Sequence, residues 1–458
     1  MKFSVRAIEL FERDVHLRLP FRFGIVTLTH APQAFVRARI RLDDGREAQG
    51  AAAELLAPKW FDKNPALSNE QNFDQLRLAL ALARAAYLAG GANTAFGHFR
   101  AHYEPHMAQA AGEGLNALVA NFGPALIDRA LLDALCRALG ISFYQAMKND
   151  VPCMRNSGTE PELGLSAFLE ALQPRRDIAA RHTVGLLDPI TSTEQRVNDG
   201  LPETLAEVVA RYGHRWLKLK VSGDAGADIE RLAAIASVLD RLPDYAASLD
   251  GNEQYESVEG VLELWRRMQR DARLQRLVDA IAFIEQPIKR QAALAADVWV
   301  LSREKPVIID ESDDRLDAFP RARALGYRGV SSKTCKGIYK SVINAARCRR
   351  WGPQYFMTGE DLTLQAGLAL QQDLALVSLL GLAHVERNGH HYVNGMAGLP
   401  DAEQEAFLRG HSDLYERSHG AVRMRITNGQ LAIASLDCIG YASGAMPDWN
   451  HMREMPTR

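Results

Sequence analysis

The chain opens with apolar residues at alternate positions. "KFSVRAIELF" and "AFVRARIRL" follow a two-residue period, and "DDG" after the second run reads as a hairpin turn, so residues 1–60 are expected to begin as antiparallel strands. From about residue 67 to 147 the period lengthens. "FDQLRLALALARAAYLAGG" and "PALIDRALLDALCRALG" place apolar side chains at i, i+3 and i+4, and each run ends on Gly, as amphipathic helices do. Strands followed by helices make residues 1–150 an α+β unit.

Beyond about residue 180 short apolar runs alternate with helical patterns. Eight candidate strands follow in order: "RHTVGLL", "WLKLKV", "AASLDGN", "AFIEQP", "PVIIDES", "GVSSKTCKG", "YFMTGED" and "AHVER", each followed by a helix or a long loop. That repetition predicts an α/β fold, a parallel (β/α)₈-type barrel of the TIM kind, over residues 181–420. Residues 151–180 read as an insertion or linker, and 421–458 return to strand and turn chemistry in "AVRMRITNGQLAIAS". No repeat or low-complexity tract interrupts the chain.

Composition narrows the class. With 458 residues and 47% hydrophobic content the chain can bury a large core. Lys+Arg 54 against Asp+Glu 56 leaves a net charge of -2, without the basic excess that holds nucleic acid. The N-terminus lacks a basic start followed by an apolar block, and no run of about 18 apolar residues occurs, so neither a membrane nor export is expected and the cytoplasm is the expected location. Cys136, Cys153, Cys335, Cys348 and Cys438 are odd in number and widely spaced, which fits reduced, buried thiols.

Charged residues then stand out at the strand ends. Lys218 and Lys220 share one face of an apolar strand, since side chains at i and i+2 point the same way. On an edge strand such a face is usually solvated; in a barrel it is the lumen. Strand three ends at Asp250 and Asn252, strand four at Glu285, and strand five at Asp310 and Glu311. Each acid alone reads equally as a helix cap. Three on consecutive strands, at the rim where barrels place their chemistry, suggest carboxylate ligands for a hard divalent cation such as Mg²⁺. Strand six adds Lys333 and Lys336, on the wall opposite strand two. A metal held by the acids would then lie between Lys220 and Lys333, and its field would help hold their pKa low enough for them to act as bases.

These residues resemble the enolase superfamily, and within it the muconate-lactonizing-enzyme-like branch of the mandelate racemase/muconate lactonizing enzyme family. The resemblance is carried by K-x-K at 218–220, D-x-N at 250–252, E-Q-P at 285–287, D-E-S at 310–312 and K-x-x-K-G at 333–337. "LPFRFGIVTLTH" at 19–30 is similar to the specificity loop of that family's N-terminal capping domain, and "NGQLAIAS" to the strand that returns to it. The resemblance implies Asp250, Glu285 and Asp310 as Mg²⁺ ligands, with Mn²⁺ as a substitute. It implies Lys220 and Lys333 as the acid/base pair and Lys218 as partner of the substrate carboxylate. Glu311 would support Lys333, with Asn252 beside the ligands and Lys336 as the rival to Lys333. Phe21, Arg22 and Phe23 would close over a small-molecule substrate, although the two Phe side chains read as well as inter-domain core and Arg22 as solvated. Glu360, Asp361 and Glu386 would border the pocket, the first two reading equally as helix caps. Strand seven carries no His, against the base of mandelate-racemase-like members. Strand eight reads "AHVER", with His384 and Glu386 where dipeptide epimerases carry D-x-D, against an ordinary dipeptide substrate. His390 and His391 read as loop histidines more readily than as ligands. The branch further implies a homo-oligomer.

The implied chemistry is removal of the α-proton of a carboxylate, through an ene-diolate, with a racemase, epimerase or cycloisomerase outcome. Loss of a β-substituent, a dehydratase reaction, is the alternative. A non-catalytic metal-binding scaffold is the alternative of another class.

Overall fold

The computed structural model describes residues 1–155 and 163–456. Its first domain is an antiparallel sheet of β1 (Phe3–Phe23), β2 (Val26–Leu42) and β3 (Glu47–Leu55), joined at its outer edge by a short C-terminal strand. The hairpin turn at "DDG" closes through Gly45 N–H to the Leu42 carbonyl (2.9 Å), and Gly45 takes the positive φ (+89°) that glycine adopts without strain. One face of the sheet is covered by α1 (Asn69–Ala89), α2 (Ala95–Gly112) and α3 (Ala117–Leu139). The helices begin where the sequence supplies caps: Ser68 and Gln71 form a capping box, and Asn116 accepts from Val119 N–H. Helix α3 is buried along nearly its whole length, because it packs between the sheet, α1, α2 and the barrel. Gly50 of β3 allows the closest approach, since a Cβ there would lie 2.2 Å from the Ala134 backbone nitrogen.

Eight parallel strands close the second domain: β4 (Asp177–Val184), β5 (Trp216–Lys220), β6 (Ala246–Asp250), β7 (Ile281–Glu285), β8 (Val307–Ile309), β9 (Gly329–Ser332), β10 (Phe356–Gly359) and β11 (His384–Glu386). The pairing of β11 with β4 completes the ring. All eight predicted strands are present in the predicted order.

Two details differ from the sequence reading. The first barrel strand starts at Asp177, inside the segment read as insertion or linker, of which residues 156–162 lie outside the described residues. The strand of "NGQLAIAS" does not return to the capping sheet. After a hairpin of β12 (Tyr415–Ser418) and β13 (Ala421–Met424), β14 (Gln430–Ala432) pairs antiparallel with Asp177–Ala179 of β4. The reason is length: β4 begins four residues before β5 joins it at Arg181, leaving a free edge that β14 satisfies. Among the described residues of the C-terminal segment, the capping sheet receives only β15 (Arg453–Glu454), paired with β1.

The domains are tied together beside β9. Glu54 of β3 pairs with Arg129 of α3 (2.9 Å) and accepts from the Thr334 hydroxyl of the barrel (3.0 Å), while Gln372 donates to the Ala51 carbonyl (2.8 Å). Thr334 is the residue after Lys333, so the same contacts fix the rim where the predicted chemistry lies. Cys136, Cys335 and Cys348 are buried, Cys153 and Cys438 half-buried, and all five are free. Among the described residues no helix is long and apolar enough to cross a membrane.

Candidate active site

Strand alternation sends Lys218 and Lys220 into the lumen. Lys218 Nζ donates to Glu285 (2.9 Å), Glu360 (2.8 Å) and Glu386 (3.1 Å) and stands 2.9 Å from Asp250, so one ammonium gathers acids from four strand ends. Lys220 Nζ donates to Asp250 (2.6 Å) on the adjacent strand. On the far wall Lys333, directly after β9, donates to Asp310, directly after β8. Lys336 reaches the same carboxylate (3.2 Å) and the Ser331 carbonyl and hydroxyl (both 2.8 Å) from below.

The turns after the acids are held tightly. Asn252 N–H donates to Asp250 Oδ1 (2.8 Å), and the Gln286 side-chain carbonyl accepts from the backbone of Asp310 (2.9 Å) and Ser312 (3.1 Å). Asn252 (φ +40°) and Gln286 (φ +33°) both occupy the left-handed region, strain that concentrates here within two residues of the two acids.

Burial and neighbours set the charges. Burial alone would lower the Lys218 pKa, but Asp250, Glu285, Glu360 and Glu386 raise it well above the usual lysine value. Lys333 is likewise raised, Asp310 outweighing burial. These neighbours favour the ammonium form of both lysines. Asp310 is held well below the carboxylate range, because Lys333 and Lys336 overcome burial. Glu285 moves up instead, pushed by burial and by Glu360.

Lys218, Lys220, Lys333, Asn252, Asp310 and Glu386 face one pocket, roofed by Phe21, Phe23 and Trp60 of the capping domain. Its free space is about 20 Å³, little more than one water. Phe21 stacks on Tyr392 (4.2 Å), and the Lys333 ammonium lies 4.4 Å over the Trp60 ring.

Other predicted residues are placed differently. Arg22 is exposed on the opposite face of β1, because alternation that turns Phe21 and Phe23 inward turns it outward. Glu311 accepts from Asn252 and Lys63 (both 3.3 Å) rather than from Lys333, since it follows the lumen-facing Asp310 and points away from it. Glu360 lies outside the pocket lining, between Lys218 and a buried Arg181, whereas Asp361 does border the pocket as expected, tied to Arg387 (3.0 Å) and to the backbone of Leu364, Asn388 and Gly389. His384 stacks on Trp216 (3.9 Å) away from the pocket. Sequence reasoning missed Trp60, Lys63, Arg181 and Gln286; only Gln286 carried a signal, inside "EQP".

The donor set fits a hard divalent ion of the Mg²⁺ kind. Asp250, Glu285 and Asp310 end three adjacent strands, and Glu285 Oε2 is buried without a hydrogen-bond partner among the described residues. Of their other oxygens, Glu285 Oε1, Asp250 Oδ2 and both of Asp310 are held by lysines, and Asp250 Oδ1 by the Asn252 N–H. The surrounding cluster is balanced, five acids (Asp250, Glu285, Asp310, Glu360, Glu386) against five cations (Arg181, Lys218, Lys220, Lys333, Lys336).

The profile of the family described as enolase C-terminal domain-like matches residues 200–429, about half of the chain. No curated protein matches it. Among solved structures, the muconate lactonizing enzyme of Pseudomonas fluorescens, complexed with muconolactone, is 16% identical with a TM-score of 0.60, covering 98% of each chain. A member of the enolase superfamily from Roseovarius nubinhibens, complexed with magnesium, is 18% identical with a TM-score of 0.57, covering 98% of this chain and 97% of that one. The dipeptide epimerase of Methylococcus capsulatus, complexed with Mg and the dipeptide L-Arg-D-Lys, is 20% identical with a TM-score of 0.55, covering 93% of this chain and 99% of that one. These likenesses concern the fold, and together with the family match they lead to one assignment: the chain belongs to the enolase superfamily, in its mandelate racemase/muconate lactonizing enzyme branch.

Proposed function

We propose that the protein is an isomerase that removes the α-proton of a small carboxylate and then either returns a proton to that carbon, as a racemase or epimerase, or expels an internal carboxylate to open a lactone ring, as a cycloisomerase. The observation that carries this reading is the pair Lys220 and Lys333, on opposite walls of one pocket with Asp250 and Asp310 beside them. A bound Mg²⁺, held by Asp250, Glu285 and Asp310, would supply the positive charge that stabilises the carboxylate as its α-proton leaves.

The chain's own residues do the rest. Lys218, fixed by four acids, lines the pocket and is suited to orient the substrate carboxylate. Lys220 and Lys333 address opposite faces of the α-carbon, one taking the proton at Nζ and the other giving one back. Phe21, Phe23 and Trp60 exclude water once the roof closes. An apolar roof over a charged floor suits a substrate with one carboxylate and an apolar body.

The test is deuterium uptake from D₂O across a library of N-acyl amino acids, lactones and acid sugars, with Mg²⁺ present. Deuterium at the α-carbon without loss of mass supports the proposal. Release of water would make the protein a dehydratase, and no exchange across the library would sink proton abstraction.

A further inference from the structure

Three histidines far apart in the sequence meet on the outer wall of the barrel. Arg181 and Thr183 of β4 point into the lumen, where they bond Glu360 and Glu386, so His182 between them points outward. His214 stands just ahead of β5, and His390 lies in the short helix Gly389–Tyr392 after β11. Because β4 pairs with both β5 and β11, closure of the ring brings the three together. Their ring centroids form a nearly equilateral triangle, 5.2 Å from His182 to His214, 5.3 Å from His182 to His390 and 5.2 Å from His214 to His390. One ring nitrogen from each falls within 4.8 Å of the others.

The nitrogens are buried and bare. His182 Nδ1, His214 Nε2 and both ring nitrogens of His390 have no hydrogen-bond partner among the described residues. The Arg387 carbonyl lies near enough to favour a charged His390 ring but not in hydrogen-bonding geometry. His214 is oriented from behind. Its Nδ1 lies 3.0 Å from the Ala180 carbonyl, which can only accept, so the proton sits on Nδ1 and Nε2 presents its lone pair to the cluster. A backbone carbonyl fixing the far nitrogen of an imidazole is the usual support of a metal-binding histidine. Leaving several buried polar nitrogens unpaired is costly, and a shared ion would satisfy all three rings. Nearby positive groups are restrained: Arg18 is paired with Asp199 (2.8 Å) and Arg423 donates to Asn394.

We infer that His182, His214 and His390 form a second metal site, separate from the lumen carboxylates, for a borderline divalent ion of the Zn²⁺ class. Three neutral nitrogen donors suit Zn²⁺, Co²⁺ or Ni²⁺ and not Mg²⁺, which requires oxygen. His391, whose ring lies 5.2 Å from His182, or a water completes a tetrahedron. Since the ligands come from β4, the approach to β5 and the segment after β11, the ion would clasp the barrel where its first and last strands meet.

The experiment uses the full chain stripped with a chelator and then held in excess Mg²⁺. Zn²⁺ is titrated calorimetrically, and Co²⁺ is followed by the visible absorption of tetrahedral nitrogen ligation. The expected result is one equivalent of tight binding that Mg²⁺ does not displace, weakened about 100-fold or more in both His214→Ala and His390→Gln. His390 is the least buried of the three, so its variant keeps the test readable should His214→Ala fail to fold. No tight equivalent, an equivalent displaced by Mg²⁺, or full affinity retained in the His390 variant would each overturn the inference.

Discussion

The Lys333 ammonium stands 4.4 Å from the centre of the Trp60 ring, and Trp60 belongs to the capping domain while Lys333 belongs to the barrel. Within the shared roof the indole thus lies against Lys333 of the proposed pair. A cation over an indole face is stabilised by about 0.5–2 kcal/mol, more than over a phenyl ring. Trp60→Phe should slow exchange of the proton facing Lys333 by roughly 2- to 10-fold and leave the Lys220 side unchanged. Rates for each enantiomer of a substrate separate the two faces; equal slowing would mean that Trp60 only shapes the pocket.

The two lysines should be separable by stereochemistry. Lys220→Ala and Lys333→Ala are each expected to lower racemisation by about 10²–10⁴-fold, the usual contribution of a positioned acid or base. Each variant should still exchange deuterium into the one enantiomer whose proton faces the remaining lysine. Exchange of both enantiomers in either variant would remove that lysine from the proposed mechanism.

Lys218 makes the densest set of ion pairs in the lumen, with a side chain only 1% exposed. Removing it strands Asp250, Glu285, Glu360 and Glu386 without their shared counter-charge. Lys218→Met should destabilise the fold by about 3–5 kcal/mol in urea unfolding, the range for breaking a buried pair. Adding Glu360→Gln should recover part of that loss, because it removes one of the stranded charges. An unaltered midpoint in the single variant would show that water or ions already compensate the acids.

How far the site was legible follows from where each residue stands. The acids at 250, 285 and 310 and the lysines at 218, 220 and 333 were visible because barrel strands are short, apolar and evenly spaced, so a charge at the end of one stands out. Their neighbours were not. Arg181 and Trp60 meet the site only through ring closure and domain docking, and nothing local to "AARHTV" or "APKWF" carries that information. The misplacement of Arg22 had a local remedy, since alternation in "FRF" already set it opposite its two neighbours. The partner of β14 had none, because the free edge of β4 depends on where β5 begins.

Away from the site, Asp128 gives the capping domain a pH dependence of its own. It is buried in α3, where burial pushes its carboxyl up to about 8 although the Tyr87 hydroxyl, 2.8 Å away, favours the charged form. In the unfolded chain the same carboxyl titrates near its usual value, about 4. Between about pH 4 and pH 8 the folded state thus holds a proton that the unfolded state has released, and stability falls as pH rises through this window, by about 1.4 kcal/mol per pH unit from this group. Asp128→Asn keeps an acceptor for Tyr87 and cannot ionise. Its advantage over the unsubstituted chain should be small near pH 4, grow through neutrality, and level off above about pH 8. Urea midpoints of both proteins at several pH values read this difference directly, and a constant offset between the two curves would show that Asp128 is charged in the fold throughout.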